Sequence, residues 1–510
     1  MSIGEVHWSL QAGYPVLAVL QLLPLAALVL ALAVRAERLL LTVGVVAAAL
    51  ELGVAADVYR LYNPDVTGFQ LAERVDLAPA LAYHVAIDGI AVPFILLTTL
   101  LALLTVVYGS VRGLVPTSRF LAAVFAVEGA LMGMFTTVDL LWFVAVSAVE
   151  LVLVGYLLWR WATSPQKDLM FTRFLQFMGT GVLLLVAGTF LLGWNHADAT
   201  GGHWSFAVQD LAAVPVAGPV QSVVFFLLFY GFAIRIPLFP LHGWLPLAAE
   251  HGNIAVGPVF LLGLKTGIYG LLRFVFPVLP EAVLHWHRYV VAFAVAGIFY
   301  AALLALMQQN LRRLLAYAVV SHTSVLVIGL FSLTQAAFQG VIVLSLDFGL
   351  AIAGLLFMTG FVYRRTRTTL LPRLGGLFDR IPIIGIAFLV AGLSIIGMPG
   401  TPGFDAAHLM LEAAIDRFGA LVTIAAALGN VAAAAFLLWA FQRAFLAPRR
   451  DGAPAQDIEP ASLMERAIAV TLIAVLLGAG FYSEPWLRIT DRSLAPLAAL
   501  YGEPAGGAEH

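Results

Sequence analysis

A chain of 510 residues that is 62% hydrophobic and 11% charged lies outside the composition of water-soluble domains, which run at about 45–50% apolar and about 25% charged. A net charge of −2 with no basic tail carries no signature of nucleic-acid binding. With no cysteine, the chain forms no disulfide, thiolate metal site, iron–sulfur cluster or thiol nucleophile of its own.

A transmembrane helix needs about 20 apolar residues, and such runs recur from end to end. In chain order, 14 spans are predicted near 14–34, 38–58, 86–108, 119–137, 139–160, 175–194, 219–239, 254–275, 289–308, 313–333, 338–363, 381–398, 416–444 and 465–483. The first follows Glu5 and His7 with no basic segment before it, so it reads as a span and not as a cleaved signal. No period-two alternation stands out, which argues against a β-barrel. The longest connections are 59–85, 195–218 and 445–464, and a short polar tail follows 484. The expected architecture is an all-α polytopic membrane protein forming one helical domain.

The distribution of basic residues tests this count. With sides alternating from the first span, one face collects 18 of the 27 lysines and arginines and the other 7, and the two left over are Arg235 and Lys265. Basic residues gather on the cytoplasmic side of membrane proteins. An even span count therefore places both termini outside.

Ionisable side chains within spans are costly and mark functional sites by default. Glu150 sits in VAVSAVELVLVGYLL, with Asp139 near the other end of that span. Arg235 sits in FAIRIPLFPLHGWLP, Lys265 in LLGLKTGIYGLL, and His322 in LLAYAVVSHTS. A lysine near a helix end snorkels to the interface, but Lys265 has apolar residues on both sides. A buried amine of this kind can gain and lose a proton near neutral pH. A guanidinium stays charged, so Arg235 suits anchoring a carboxylate, and Glu150 is its natural partner because buried charges pair. His322 is either a hydrogen-bonded core histidine or a proton shuttle.

Two segments interrupt the apolar runs. One carries Pro237 and Pro240, the other Gly397, Pro399, Gly400, Pro402 and Gly403 in GMPGTPGF. Interrupted helices at matching places in two halves point to transporter ion sites. The spacing of about five spans suggests two inverted five-helix units, spans 4–8 and 9–13, with broken helices 7 and 12. The corresponding segments are 1–118 for peripheral helices, 119–275 and 289–444 for the repeats, and 465–510 for the last helix and tail.

At these residues the chain resembles the antiporter-like membrane subunits of respiratory complex I, the proton-conducting membrane transporter family, most closely the NADH-quinone oxidoreductase chain M branch. The likeness covers about residues 80–445 and rests on long motifs in the expected order. These are YHVAIDGIAVPFILLTTLL, then FAVEGALMGMFTTVDLLWFVAVSAVELVLVGYLL carrying Glu128, Asp139 and Glu150, then FAIRIPLFPLHGWLP, LLGLKTGIYGLLRF and LLAYAVVSHTS. The resemblance implies a proton route. A glutamate on the fifth helix (Glu150) modulates a lysine on the seventh, and this passes to a lysine on the eighth (Lys265), to histidines (His322), and to a charged residue on the broken twelfth. Arg235 stands at the seventh-helix lysine position. The eleventh-helix histidine position falls on Phe348, beside Asp347, and the twelfth-helix glutamate position on Ala407, flanked by Asp405 and His408. This pattern implies a diverged member whose route is best preserved around Lys265.

The resemblance implies an ion-translocating, most simply proton-translocating, subunit that works with other membrane subunits in a multisubunit complex of a bacterial inner membrane. Related settings are an energy-coupling subunit of an inorganic-carbon uptake complex and a cation/proton antiporter. With no nucleotide loop or metal cluster, a driving reaction belongs to partner subunits and no cofactor is expected here. A second class is a non-conducting scaffold, motivated by Phe348 and Ala407. A third is a stand-alone enzyme, whose only constellation is His242, Glu250 and His251; a metal there needs further converging ligands.

Overall fold

A computed structural model of the chain describes residues 4–78, 81–162, 164–252, 265–448 and 458–502. Strand β1 (Glu5–His7) precedes α1 (Val16–Ala33) and α2 (Glu37–Leu61); β2 (Phe69–Ala78) and β3 (Leu81–Ile87) follow. Next come α3 (Ala91–Arg112), α4 (Thr117–Thr136), α5 (Leu140–Arg160), α6 (Lys167–Ala199) and the short α7 (Val208–Ala213). Then α8 (Gly218–Arg235) and α9 (Leu245–His251) are followed by α10 (265–270), which runs into a π-helical turn, Leu271–Val275. The second half holds α11 (Pro280–Leu306), α12 (Leu311–Leu330), α13 (Gln335–Thr366), α14 (Pro382–Ile396), α15 (Pro402–Phe418) and α16 (Ala420–Phe441). The chain closes with α17 (Leu463–Phe481) and α18 (Glu484–Ala499).

Twelve described helices are long and apolar enough to cross a membrane, and α14 adds an apolar helix of 15 residues. The eighth predicted span, 254–275, lies partly outside the described residues; α10 is its described part. All the other predicted spans have a helix.

Burial separates the centre from the periphery. In α12, 94% of the most apolar window is buried and in α13 89%, against 28% in α2 and α17. The strongly apolar α1, α2, α6, α16 and α17 therefore present side chains outward, where lipid or neighbouring subunits cover them. Around α12 and α13 the helix surfaces are enclosed by protein.

Both predicted breaks are present. α8 ends at Arg235, and its lost continuation is compensated locally: Leu238 N–H donates to Ala233 O at 3.0 Å, and the Trp244 indole donates to Ile234 O at 3.1 Å. Trp244 is fully buried, so the freed carbonyl is satisfied inside the protein, the condition for irregular backbone at membrane depth. The second break separates α14 from α15. Gly397 ends α14 in the left-handed region (φ 80°), which a side chain would strain, and Pro402 opens α15, where its missing N–H costs nothing.

Two connections hold more structure than the sequence pattern indicated. Residues 59–85 contain the β2–β3 antiparallel hairpin, with Glu73 opposite Val85 and Val75 opposite Tyr83, and β1 joins its edge in parallel. Residues Phe69 to Glu73 are all buried, so no polar-out alternation was there to be read. Glu73 accepts from the backbone N–H groups of Leu17 and Ala18 at 2.9 and 3.1 Å and so caps α1. The expected polar tail is the amphipathic α18, which buries Ile489, Leu494 and Leu497. It is pinned by Gln335 donating to Asp491 at 2.6 Å and by Ser493 accepting from the backbone of Gly89 at 2.9 Å.

Candidate functional site: a buried line of charged groups between two broken helices

Glu150 lies in the second half of α5, a helix whose start is capped by Asp139 accepting from Trp142 N at 2.8 Å. Burial leaves Glu150 3% exposed, and a carboxylate so placed needs a cation. Arg235 supplies it from the last residue of α8, where the helix dipole favours positive charge. Its Nη2 donates to Glu150 Oε2 at 2.5 Å and to Ser147 O at 3.4 Å, and its Nη1 donates to Thr266 Oγ1 at 2.8 Å. The expected Glu150–Arg235 pair is formed. The guanidinium also ties it to α10 at the residue following Lys265.

Close packing brings α10 to α8. A Cβ on Gly267 would lie 2.3 Å from Ile236 Cγ2 and 3.2 Å from Phe232 O, so glycine is what permits the approach. Lys265 is 3% exposed. Its ammonium sits 4.2 Å from the centroid of the Phe348 ring, within the range of a cation–π contact. The same ring stacks with His322 at a centroid separation of 4.8 Å and 20° between planes. Ile236, Lys265, Thr323 and Phe348 line a cavity of about 10 Å³, the space one water molecule needs. His322 is 3% exposed and its Nε2 has no hydrogen-bond partner among the described residues.

Beyond Phe348 on α13 lies Asp347, 2% exposed, whose Oδ1 accepts from Ser394 Oγ at 2.5 Å. Ser394 is in the last turn of α14, at the second break. The sequence-predicted residues Glu150, Arg235, Lys265, His322 and Asp347 thus form one line of buried groups, from the first broken helix to the second.

Other predicted residues lie elsewhere. Glu128 on α4 is buried, and among the described residues neither of its carboxyl oxygens is hydrogen-bonded; the same holds for Glu51 on α2, a residue the sequence reading did not single out. Asp139 is a helix cap at the β3 side of the bundle. His242 packs against Tyr300 at 5.2 Å and Tyr317 at 6.4 Å, with Nδ1 unpartnered. It does not converge with Glu250 and His251. Glu250 pairs with Arg313 at 3.3 Å, and His251 Nδ1 meets Ser164 Oγ at 3.0 Å. Among the described residues no three His, Asp or Glu side chains are grouped to hold a metal. Asp405 is half-buried and His408 exposed on α15, while Ala407 is buried.

Sequence reasoning also missed Asp88–Arg273, a buried bidentate ion pair at 2.6 and 2.7 Å. The π-helical turn after α10 carries Arg273 into the interior, where its Nε donates to the Tyr269 hydroxyl at 3.2 Å. Asp88 caps α3, accepting from Ile90 and Ala91 N–H at 3.0 and 3.1 Å. The legible signal was a lone aspartate immediately before an apolar span.

Fold and site together define a polytopic helical membrane protein with an interior line of ionisable groups joined to two broken helices. A family model described as "NADH:quinone oxidoreductase/Mrp antiporter, TM" matches residues 140–433. NADH-quinone oxidoreductase subunit M of Escherichia coli (strain K12) is 31% identical over 429 residues, which is 81% of this chain and 82% of that protein. A chain of the solved respiratory complex I from Thermus thermophilus with bound NADH superposes with a TM-score of 0.84 at 25% identity, covering 96% of this chain and 100% of that one. A chain of the Mrp complex from Dietzia sp. DQ12-45-1b has the same fold, with a TM-score of 0.84 at 21% identity over 95% of this chain and 98% of that one. The chain belongs to the NADH:quinone oxidoreductase/Mrp antiporter membrane-subunit family.

Proposed function

We propose that this chain is an ion-translocating, specifically proton-translocating, antiporter-like subunit of a multisubunit membrane complex. The observation that carries this reading is the succession of buried groups from Glu150–Arg235 through Thr266 and Lys265 to Phe348, His322 and Asp347, its last members on α12 and α13, the most deeply buried helices. Arg235, permanently charged, holds Glu150 and sets the field at Lys265. Lys265 is the group that takes up and releases the proton, and His322 links it toward the second half. The two five-helix units, 119–275 and 289–444, each contribute one broken helix to this line.

The excess of basic residues on one face supports both termini lying outside a bacterial inner membrane, with the Arg-rich connections in the cytoplasm. The test of translocation is Lys265→Ala in the intact assembly, purified through this chain, reconstituted in liposomes and driven by an imposed potassium-diffusion potential. Proton uptake read by an enclosed pH-sensitive dye is expected to fall at least tenfold; unchanged uptake in a correctly assembled complex overturns the reading. A second reading, a non-conducting scaffold, is favoured by one observation: an aromatic ring, Phe348, covers Lys265 where a proton-carrying imidazole is implied by the resemblance. The same experiment decides between them.

A further inference from the structure

The resemblance places a carboxyl on the second half of the twelfth helix, where this chain has Ala407. A different buried carboxyl stands at the same break. Asp347 reaches it from α13: one oxygen is held by Ser394 of α14, while Oδ2 has no hydrogen-bond partner among the described residues. That free oxygen faces the first turn of α15. A Cβ on Gly403 would lie 2.8 Å from Asp347 Oδ2 and 2.4 Å from Ser394 O, so a glycine is what admits the carboxyl against the break.

Two further features converge on Asp347. Its chain neighbour Phe348 carries the Lys265 ammonium on its ring face, 4.2 Å from the centroid. On its other side Asp347 lines a cavity of about 110 Å³ between α3, α13, α15 and α17, with Leu97, Leu350, Pro402 and Leu476 among its walls. Asp347 is the one ionisable residue in that lining among the described residues. The volume exceeds the about 10–15 Å³ that one water needs, and in otherwise apolar walls the Asp347 carboxyl is the polar group that would hold it.

We propose that Asp347 is the terminal proton carrier of this chain, supplying from α13 the carboxyl that α15 lacks, and that it releases the proton to water in the cavity beside it. The step balances without electron transfer. The Lys265 ammonium becomes an amine as its proton reaches Asp347 Oδ2, the carboxylate becomes a carboxylic acid, and deprotonation to water in the cavity restores it. The assignment rests on the translocation reading above, and the variants separate the two.

In the liposome assay, Asp347→Asn is expected to lower proton uptake at least tenfold, as Lys265→Ala does. Ser394→Ala, which removes the hydrogen bond but leaves the carboxyl, is expected to keep more than half of it. Asp347→Asn combined with Ala407→Glu is expected to recover uptake, because a carboxyl returns to the same break; a packing defect is not repaired in this way. Parental uptake in Asp347→Asn while Lys265→Ala is inactive overturns the assignment and leaves the reading standing. Equal loss in Ser394→Ala, or no recovery in the double variant, makes Asp347 a packing residue and overturns it too. Parental uptake in Lys265→Ala overturns the translocation reading itself.

Discussion

The Lys265 ammonium rests on the face of Phe348, 4.2 Å from the ring centroid, and the same ring stacks on His322. A phenyl ring cannot accept and pass on a proton, so Phe348 packs against both titratable groups without itself acting as a relay. Replacing it with the imidazole that the resemblance implies, Phe348→His, is expected to raise proton uptake severalfold in the liposome assay. Phe348→Ala removes a fully packed ring and is expected to cost about 3–5 kcal/mol in stability, visible as a lowered melting temperature of the detergent-solubilised assembly.

The Glu150–Arg235 pair separates charge from geometry. Glu150→Gln leaves the guanidinium buried without its anion, and breaking a buried pair on one side costs about 3–5 kcal/mol. It is expected to impair proton uptake as well as lower stability. Arg235→Lys keeps the positive charge beside Glu150 but gives up the fork that reaches Glu150, Ser147 and Thr266 together. It is expected to retain uptake, or raise it, because an ammonium can exchange its proton. A silent Glu150→Gln in an intact complex would make the pair purely structural.

Asp88–Arg273 serves as the contrast. It is buried and bidentate, yet it joins the cap of α3 to the turn after α10, and among the described residues neither partner has a hydrogen bond or ion pair with Lys265. Asp88→Ala is expected to destabilise the protein by about 3–5 kcal/mol while leaving proton uptake per assembled complex unchanged. Thermal denaturation and the liposome assay, run on the same preparation, check both halves.

The β1 edge gives a pH dependence outside the membrane. Burial pushes the Glu5 carboxyl up, but hydrogen bonds from His84 and Gln209, and the charges of His84 and Arg74, outweigh it and hold the group below its usual range. A carboxyl depressed in the folded state contributes stability above its ordinary range, and that contribution is lost as pH falls through the folded value. Protection of the β1–β2 amides from hydrogen exchange, corrected for intrinsic rates, is therefore expected to weaken toward acid. Glu5→Gln is expected to flatten that dependence.

What the sequence determined by itself is the helical membrane architecture, because apolar run length is a local property of the chain. Proline and glycine marked both breaks for the same reason: each acts on its own backbone. The Glu150–Arg235 pair was also legible, since two opposite charges in apolar runs have few other partners. The tertiary structure alone decided which ionisable groups meet. Asp347 and His408 lie in equally suggestive segments, yet packing buries one against the break and leaves the other exposed. Asp88–Arg273 and the fully buried start of β2 were hidden for that reason as well, because burial is set by what lies across the bundle, and no spacing along the chain records it.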